Sequence, residues 1–221
     1  MPLGGVIFDW DGVVINSAIL HEKSWELLAS ELKLPLPPNH FKHGFGKKNE
    51  FIIPEILKWS HEQSKIKKWG KRKEELYREL GKIEGIPILD GMIRFLHSLK
   101  AEKIPCVIGT STEKENLSLA FSQLNIGHFF SGAICSEDVN QGKPDPEVFL
   151  KAAQIIEQKP ENCVVLEDST HGIEAAKSGG MKALGLLTTK KESELFSSGA
   201  DQVITNPTML NISLLRSLFV H

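Results

Sequence analysis

The sequence predicts an α/β protein: a Rossmann-like, three-layer core on a parallel sheet, with an α-helical cap domain inserted into it. Three observations predict this. Short apolar runs recur along the chain, each about the length of one buried strand. Amphipathic segments of helical length separate them, the alternation that builds βαβ units. One stretch, residues 17–85, breaks the alternation and holds helical patterns only.

In chain order, Val6–Phe8 is the first strand run. Ala18, His21, Trp25, Leu28 and Leu32 then recur at helical spacing, and 51–59 and 66–80 read as two further helices. Asn16-Ser17 and Gly85-Ile86-Pro87 are the breaks on either side, so the core is expected over 1–16 and 86–221 and the cap over 17–85. Met92, Phe95, Leu96 and Leu99 share one helical face ahead of the second run, 105–109. The remaining runs are 132–135, 163–166, 182–187 and 202–204. Val148, Ala152 and Ile155 mark a helix between two of them, and Ile173 and Ala176 mark another. Thr112-x-x-Glu115 reads as a capping box. Asp145-Pro146 reads as an N-cap with proline at the first helical position, and Gly179-Gly180 as a helix stop.

Composition narrows the function. With 41% hydrophobic and 24% charged residues the 221-residue chain is globular rather than disordered, and a formal charge of -2 provides no global field for nucleic acid or an anionic membrane. Neither partner is expected. Cys106, Cys135 and Cys163 are odd in number and far apart, which argues against a disulfide framework and against a C-x-x-C metal site. The N-terminal residues have no signal-peptide core and no run is long enough for a membrane helix, so a cytoplasmic protein is expected. A monomer is the default, with a homodimer open.

In an open parallel sheet, ligands bind beyond the carboxyl ends of the strands. The first run is followed by Asp9-Trp10-Asp11-Gly12, the second by Thr110-Ser111-Thr112 and the fourth by Glu167-Asp168-Ser169, with Lys143 in the loop ahead of Asp145. Singly, each has a plainer reading: a turn, a cap, a solvated lysine, a helix start. Together they place carboxylates, a hydroxyl and an ammonium on one rim. Clustered carboxylates need compensation, and Mg²⁺ supplies it through one or two carboxylates plus substrate phosphate. The ammonium and hydroxyl suit the other phosphate oxygens. A carboxylate nucleophile divides phosphomonoester hydrolysis into two easier steps, with a second carboxyl moving the proton.

With these motifs in this order, the chain resembles the haloacid dehalogenase superfamily, subfamily IA. Asp9-Trp10-Asp11-Gly12 matches its first motif, Thr110 its second, Lys143-Pro144-Asp145-Pro146 its third and Glu167-Asp168 its fourth. The helical insertion matches the family's first cap position, so the resemblance covers the whole chain. It implies a Mg²⁺-dependent phosphatase for a small phosphomonoester, such as a sugar phosphate. Asp9 would be nucleophile and metal ligand, and Asp11 the general acid/base, offering its backbone carbonyl to the metal. Thr110 and Lys143 would hold the phosphoryl group. Asp168 would ligate the metal, with Glu167 direct or through water. Asp11 also sets the chain apart from the dehalogenases, which lack that acid/base.

Within the superfamily the chain looks similar to the β-phosphoglucomutase-like branch. That likeness implies a substrate-binding role for Lys73 and, for His21, a place at the substrate that couples cap closure to catalysis; Gly46-Lys47-Lys48-Asn49 and Ser111, beside Thr110, are further substrate-binding candidates. The plainer readings are a polar residue on a buried helix face for His21 and a solvated charged stretch around Lys73. The mutases carry an arginine after Gly46 that grips a second phosphate, and Asn49 stands in its place. This favours a phosphatase over the alternative, a hexose-phosphate mutase. A phospho-acceptor signalling module shares the aspartate, hydroxyl and lysine order but is smaller and has no helical cap.

Overall fold

The computed structural model describes residues 2–44 and 46–220. The chain opens with β1 (Gly5–Phe8), then α1 (Ala18–Leu32), α2 (His40–Gly44), α3 (Asn49–Phe51) and α4 (Gln63–Glu84). There follow α5 (Met92–Ala101), β2 (Cys106–Gly109), α6 (Lys114–Leu124), β3 (Ala133–Ile134), α7 (Glu147–Ile155) and β4 (Cys163–Glu167). Last come α8 (Thr170–Ser178), β5 (Lys182–Leu186), α9 (Glu192–Ser197), β6 (Gln202–Ile204) and α10 (Ile212–Ser217). Among the described residues no helix is long and apolar enough to cross a membrane.

Two compact units form: Met1–Asn16, Pro87–Lys114 and Leu124–His221 in one, Ser17–Ile86 and Glu115–Gln123 in the other. The first unit holds the expected parallel α/β sheet, in the order β3-β2-β1-β4-β5-β6. Val6 pairs with Cys106 on one side and Val164 on the other, so β1 is central. All residues of β1, β2 and β4 are buried, which is why the strands appear as unbroken apolar runs rather than alternating ones. Ile7, Val107 and Val165 pack with Phe149 and Ala152 of α7, Ile173 and Ala176 of α8 and Leu195 of α9. Phe8 meets Phe95 of α5 and, edge-on, Phe130.

Several expectations shift. Ile155 is 37% exposed, because the buried stripe of α7 runs through Val148, Phe149, Ala152 and Ala153, and Ile155 sits roughly a quarter turn off its centre. The helix expected over 51–59 is only α3 followed by a π-type turn, Ile52–Ile56, with Leu57 N–H bonded to Ile52 O. Pro54 inside that segment has no N–H for the regular ladder. The helix expected over 66–80 is longer, the 22 residues of α4, and ends at Gly85 with φ +80. Thr112 does not form its capping box. Its hydroxyl donates to Asp11, and Lys114 N–H is taken by Glu137 instead. Asp145 accepts from Glu147 N–H at 2.9 Å, at the start of α7.

In the second unit Trp25 and Leu28 of α1 pack with Ile53, Ile66 and Leu76, and Trp59 stands edge-on to both Trp25 and Trp69. Residues 115–123 of α6, which the sequence reading leaves in the core, belong here. Asn116 Nδ2 donates to Glu74 at 2.7 Å and Gln123 Nε2 to Gly81 O at 2.8 Å.

Candidate active site

The first unit's charged side chains gather where strands end. Asp9 follows β1 directly, its N–H bonded to Leu166 O at 3.0 Å. Trp10 turns into the core, with its ring edge-on to Phe130. That buried side chain anchors the short turn between the two aspartates. The chain then turns tightly, Val14 N–H reaching back to Trp10 O at 2.9 Å, and Gly12 takes φ +79. A Cβ on Gly12 would lie 2.1 Å from Asp168 Oδ2, so glycine also lets that carboxylate approach the turn.

Lys143 Nζ lies 2.6 Å from Asp9 Oδ1 and 2.6 Å from Glu167 Oε1, above the Phe149 ring at 4.6 Å. Glu167 is fully buried, and its other oxygen accepts from Ser169 N–H at 2.7 Å and Ser169 Oγ at 2.8 Å. Ser169 in turn caps α8 by accepting from Gly172 N–H at 3.0 Å. Asp9, Glu167 and Asp168 each offer an oxygen within 4.8 Å of the others. Thr110 is buried, and its Oγ1 accepts from Thr112 N–H at 3.2 Å. Thr112 links the group to Asp11 through its hydroxyl. Ser111 is exposed.

Three buried carboxylates share one ammonium, and the titration shifts follow from that. Burial raises Asp9 to about 7; Lys143 pulls the other way, while Glu167 and Asp11 add to the rise. Burial, Glu167 and Asp9 push Asp168 well above the usual carboxylate range. Burial alone would lower Lys143, but Asp9 and Glu167 outweigh it and push the ammonium up.

Two residues at the cluster are not among the sequence candidates. Thr188 Oγ1 lies 2.6 Å from Gly12 O and 3.3 Å from Asp168 Oδ2, and Thr189 Oγ1 donates to Asp168 O at 2.8 Å. Both follow the run 182–187, so the rule that found Thr110 and Asp168 also points to them. Ser169, which in the sequence is simply the neighbour of the acidic pair, is the residue that ties Glu167 to the start of α8.

The remaining candidates lie in the second unit. Lys73 is buried, its Nζ 2.6 Å from His21 Nδ1 and 3.0 Å from Glu74 Oε1. His21 stacks on Tyr77 with centroids 4.2 Å apart. Asn49 Nδ2 donates to Glu74 at 2.8 Å, so its amide serves this network. Lys47 sits over the Phe51 ring at 4.5 Å, and Gly46, Lys47 and Lys48 are exposed. Phe45, between Gly44 and Gly46, lies outside the described residues.

Burial opposes the charge on Glu74, but Lys73, His21, Asn49 and Asn116 overcome it and hold Glu74 down at about 2. Its ordinary value is 4.5, so this stabilisation is complete above that pH and is lost as pH falls through about 2. Glu74→Ala leaves Lys73 buried without its carboxylate and is expected to cost about 3–5 kcal/mol in urea unfolding at neutral pH. A loss below about 1 kcal/mol, the level of an exposed pair, would show that the network does not act as a buried one.

A family model described as Haloacid dehalogenase-like hydrolase matches residues 6–186. The chain is 37% identical over 97% of its length to a chloroplastic 5-amino-6-(5-phospho-D-ribitylamino)uracil phosphatase of Arabidopsis thaliana, and spans 57% of that relative. It is 31% identical to a beta-phosphoglucomutase of Bacillus subtilis, over 95% of this chain and 92% of that one. Among solved structures, an HAD hydrolase of family IA, variant 3, from Entamoeba histolytica superposes with TM-score 0.90 at 28% identity, covering 100% of both chains.

Proposed function

The chain belongs to the haloacid dehalogenase-like hydrolases, and we propose that it is a phosphatase for a small phosphorylated metabolite, a sugar or sugar-alcohol phosphate, working through a phospho-aspartyl intermediate on Asp9 with Mg²⁺ as cofactor. One observation carries the reading. Asp9, directly after the central strand, is held 2.6 Å from Lys143 Nζ inside a buried cluster of carboxylates, two residues from a second aspartate. Relatives named as phosphatases support the reaction class.

The donors fit a hard divalent cation. They are all oxygens, and the carboxylates outnumber the ammonium among them. Asp9 and Asp168 would hold the ion, with the Asp11 carbonyl. Glu167 has one oxygen on Lys143 and the other on Ser169, which makes it the residue that orients Lys143. When bound, Mg²⁺ would neutralise charge on the phosphoryl group.

An Asp9 oxygen attacks phosphorus, the ester P–O bond breaks, and Asp11 gives its proton to the leaving oxygen. Asp11 then takes a proton from water, whose oxygen attacks phosphorus as the bond to Asp9 breaks, releasing phosphate. Lys143 and Thr110 hold the phosphoryl oxygens throughout, and the Thr112 hydroxyl steadies Asp11.

Hydrolysis is favoured over a mutase, although one relative is named as a mutase. A mutase grips a bisphosphate at both ends, and Asn49, standing where the mutases have arginine, spends its amide on Glu74. The test is phosphate release from a panel of phosphomonoesters with Mg²⁺, including 5-amino-6-(5-phosphoribitylamino)uracil and β-glucose 1-phosphate. Mg²⁺-dependent release is expected. No release, with primed conversion of β-glucose 1-phosphate to the 6-phosphate, would make the chain a mutase.

A further inference from the structure

We infer that Thr188 is a positioning residue for the cation site, clipping the end of β5 to the loop after β1 and so fixing the Asp168 carboxylate between them; this rests on the phosphatase reading above. The sheet order places β4 between β1 and β5. Neighbouring strands are about 4.8 Å apart, so the loops after β1 and β5 start about 10 Å from each other, with Asp168 in the gap. Thr188 N–H bonds to Leu186 O at 2.9 Å, a three-residue turn that bends the chain at the end of β5. Its hydroxyl then reaches Gly12 O at 2.6 Å and lies 3.3 Å from Asp168 Oδ2.

The Asp168 carboxylate is thus walled by the Gly12 backbone on one side and the Thr188 oxygen on the other, while Thr189 pins the Asp168 carbonyl at 2.8 Å. A hydroxyl has one hydrogen and rotates freely, so it can anchor to Gly12 O or donate to Asp168. Groups that orient metal-binding carboxylates in this way change metal affinity when removed. Thr188 is itself exposed, so replacing it leaves the core untouched.

The experiment is calorimetric titration of Mg²⁺ into the metal-free protein and into Thr188→Val, Thr188→Ser and Asp168→Asn, with turnover measured alongside. Thr188→Val is expected to weaken Mg²⁺ binding about tenfold, and Thr188→Ser to stay within about twofold of the parent. Turnover at saturating Mg²⁺ changes much less than affinity, which separates positioning from a general loss of structure. Parent-like binding by Thr188→Val, or an equal loss in the serine protein, overturns the inference while loss of binding in Asp168→Asn leaves the phosphatase reading standing. A parent that binds no Mg²⁺, or an Asp168→Asn protein that binds as the parent does, defeats both. Thr188→Ala carries the same comparison if the valine protein does not fold.

Discussion

Asp9→Asn protein is expected to release phosphate on the order of 10⁶-fold more slowly than the parent, the scale for removing a covalent nucleophile, while keeping its fold. Asparagine has the same shape but cannot form the phospho-aspartyl bond. Lys143 keeps its second partner, Glu167, so the ammonium is not stranded. The same substitution changes the pH dependence of the chelated protein. Asp9 titrates at about 7 when folded against an ordinary 3.8, so between those values the native state holds a proton that the unfolded chain has released. Stability therefore falls as pH rises from about 4 to about 7, and Asp168 acts in the same direction. Thermal unfolding in chelator across that range should show a decline in the parent and a flatter profile in Asp9→Asn. A parent that gains stability over the same range would contradict the burial of these carboxylates.

Gly172→Ala is expected to be the most disruptive single-methyl change. A Cβ there would lie 1.8 Å from Glu167 Oε1 and 1.9 Å from its Cδ, so the Glu167 carboxylate has to leave. Leaving breaks its bonds to Lys143 and to Ser169, the residue that caps α8. Losing a buried pair costs about 3–5 kcal/mol. For a chain of this size that lowers the unfolding temperature by roughly 10 °C. Phosphate release should fall as well, since Lys143 loses the group that aims it. Wild-type stability would mean that the helix start can shift to accommodate the methyl.

The sheet was legible because strands buried on both faces leave continuous apolar runs, and the Asp9, Thr110 and Asp168 loops because they follow such runs directly. Thr112 misled because a hydroxyl three residues before a glutamate signals a capping box whether or not the hydroxyl is engaged elsewhere. Thr188 and Thr189 follow the run 182–187 in the same way, but a hydroxyl pair with no carboxylate beside it carries little chemical signal in a sequence. The Glu74 network could not be read at all. Its members at 21, 49, 73 and 116 are joined only by tertiary packing, which also draws residues of α6 into the second unit. Over 51–59 the apolar spacing signals a helix while Pro54 signals a break in it, and the backbone follows the proline.

The strand order has a consequence for how the protein is made. β1 leaves the ribosome first but lies in the middle of the sheet, and its second neighbour arrives only when Cys163–Glu167 has been synthesised. Until then one edge of an apolar strand is bare, the condition in which nascent chains pair wrongly or need a chaperone. Synthesis stalled before Cys163 would yield a fragment holding Asp9 and Lys143 but neither Glu167 nor Asp168, with no way to assemble the cluster. The order of translation thus completes the carboxylate cluster only once β4 and the residue that follows it, Asp168, have been made.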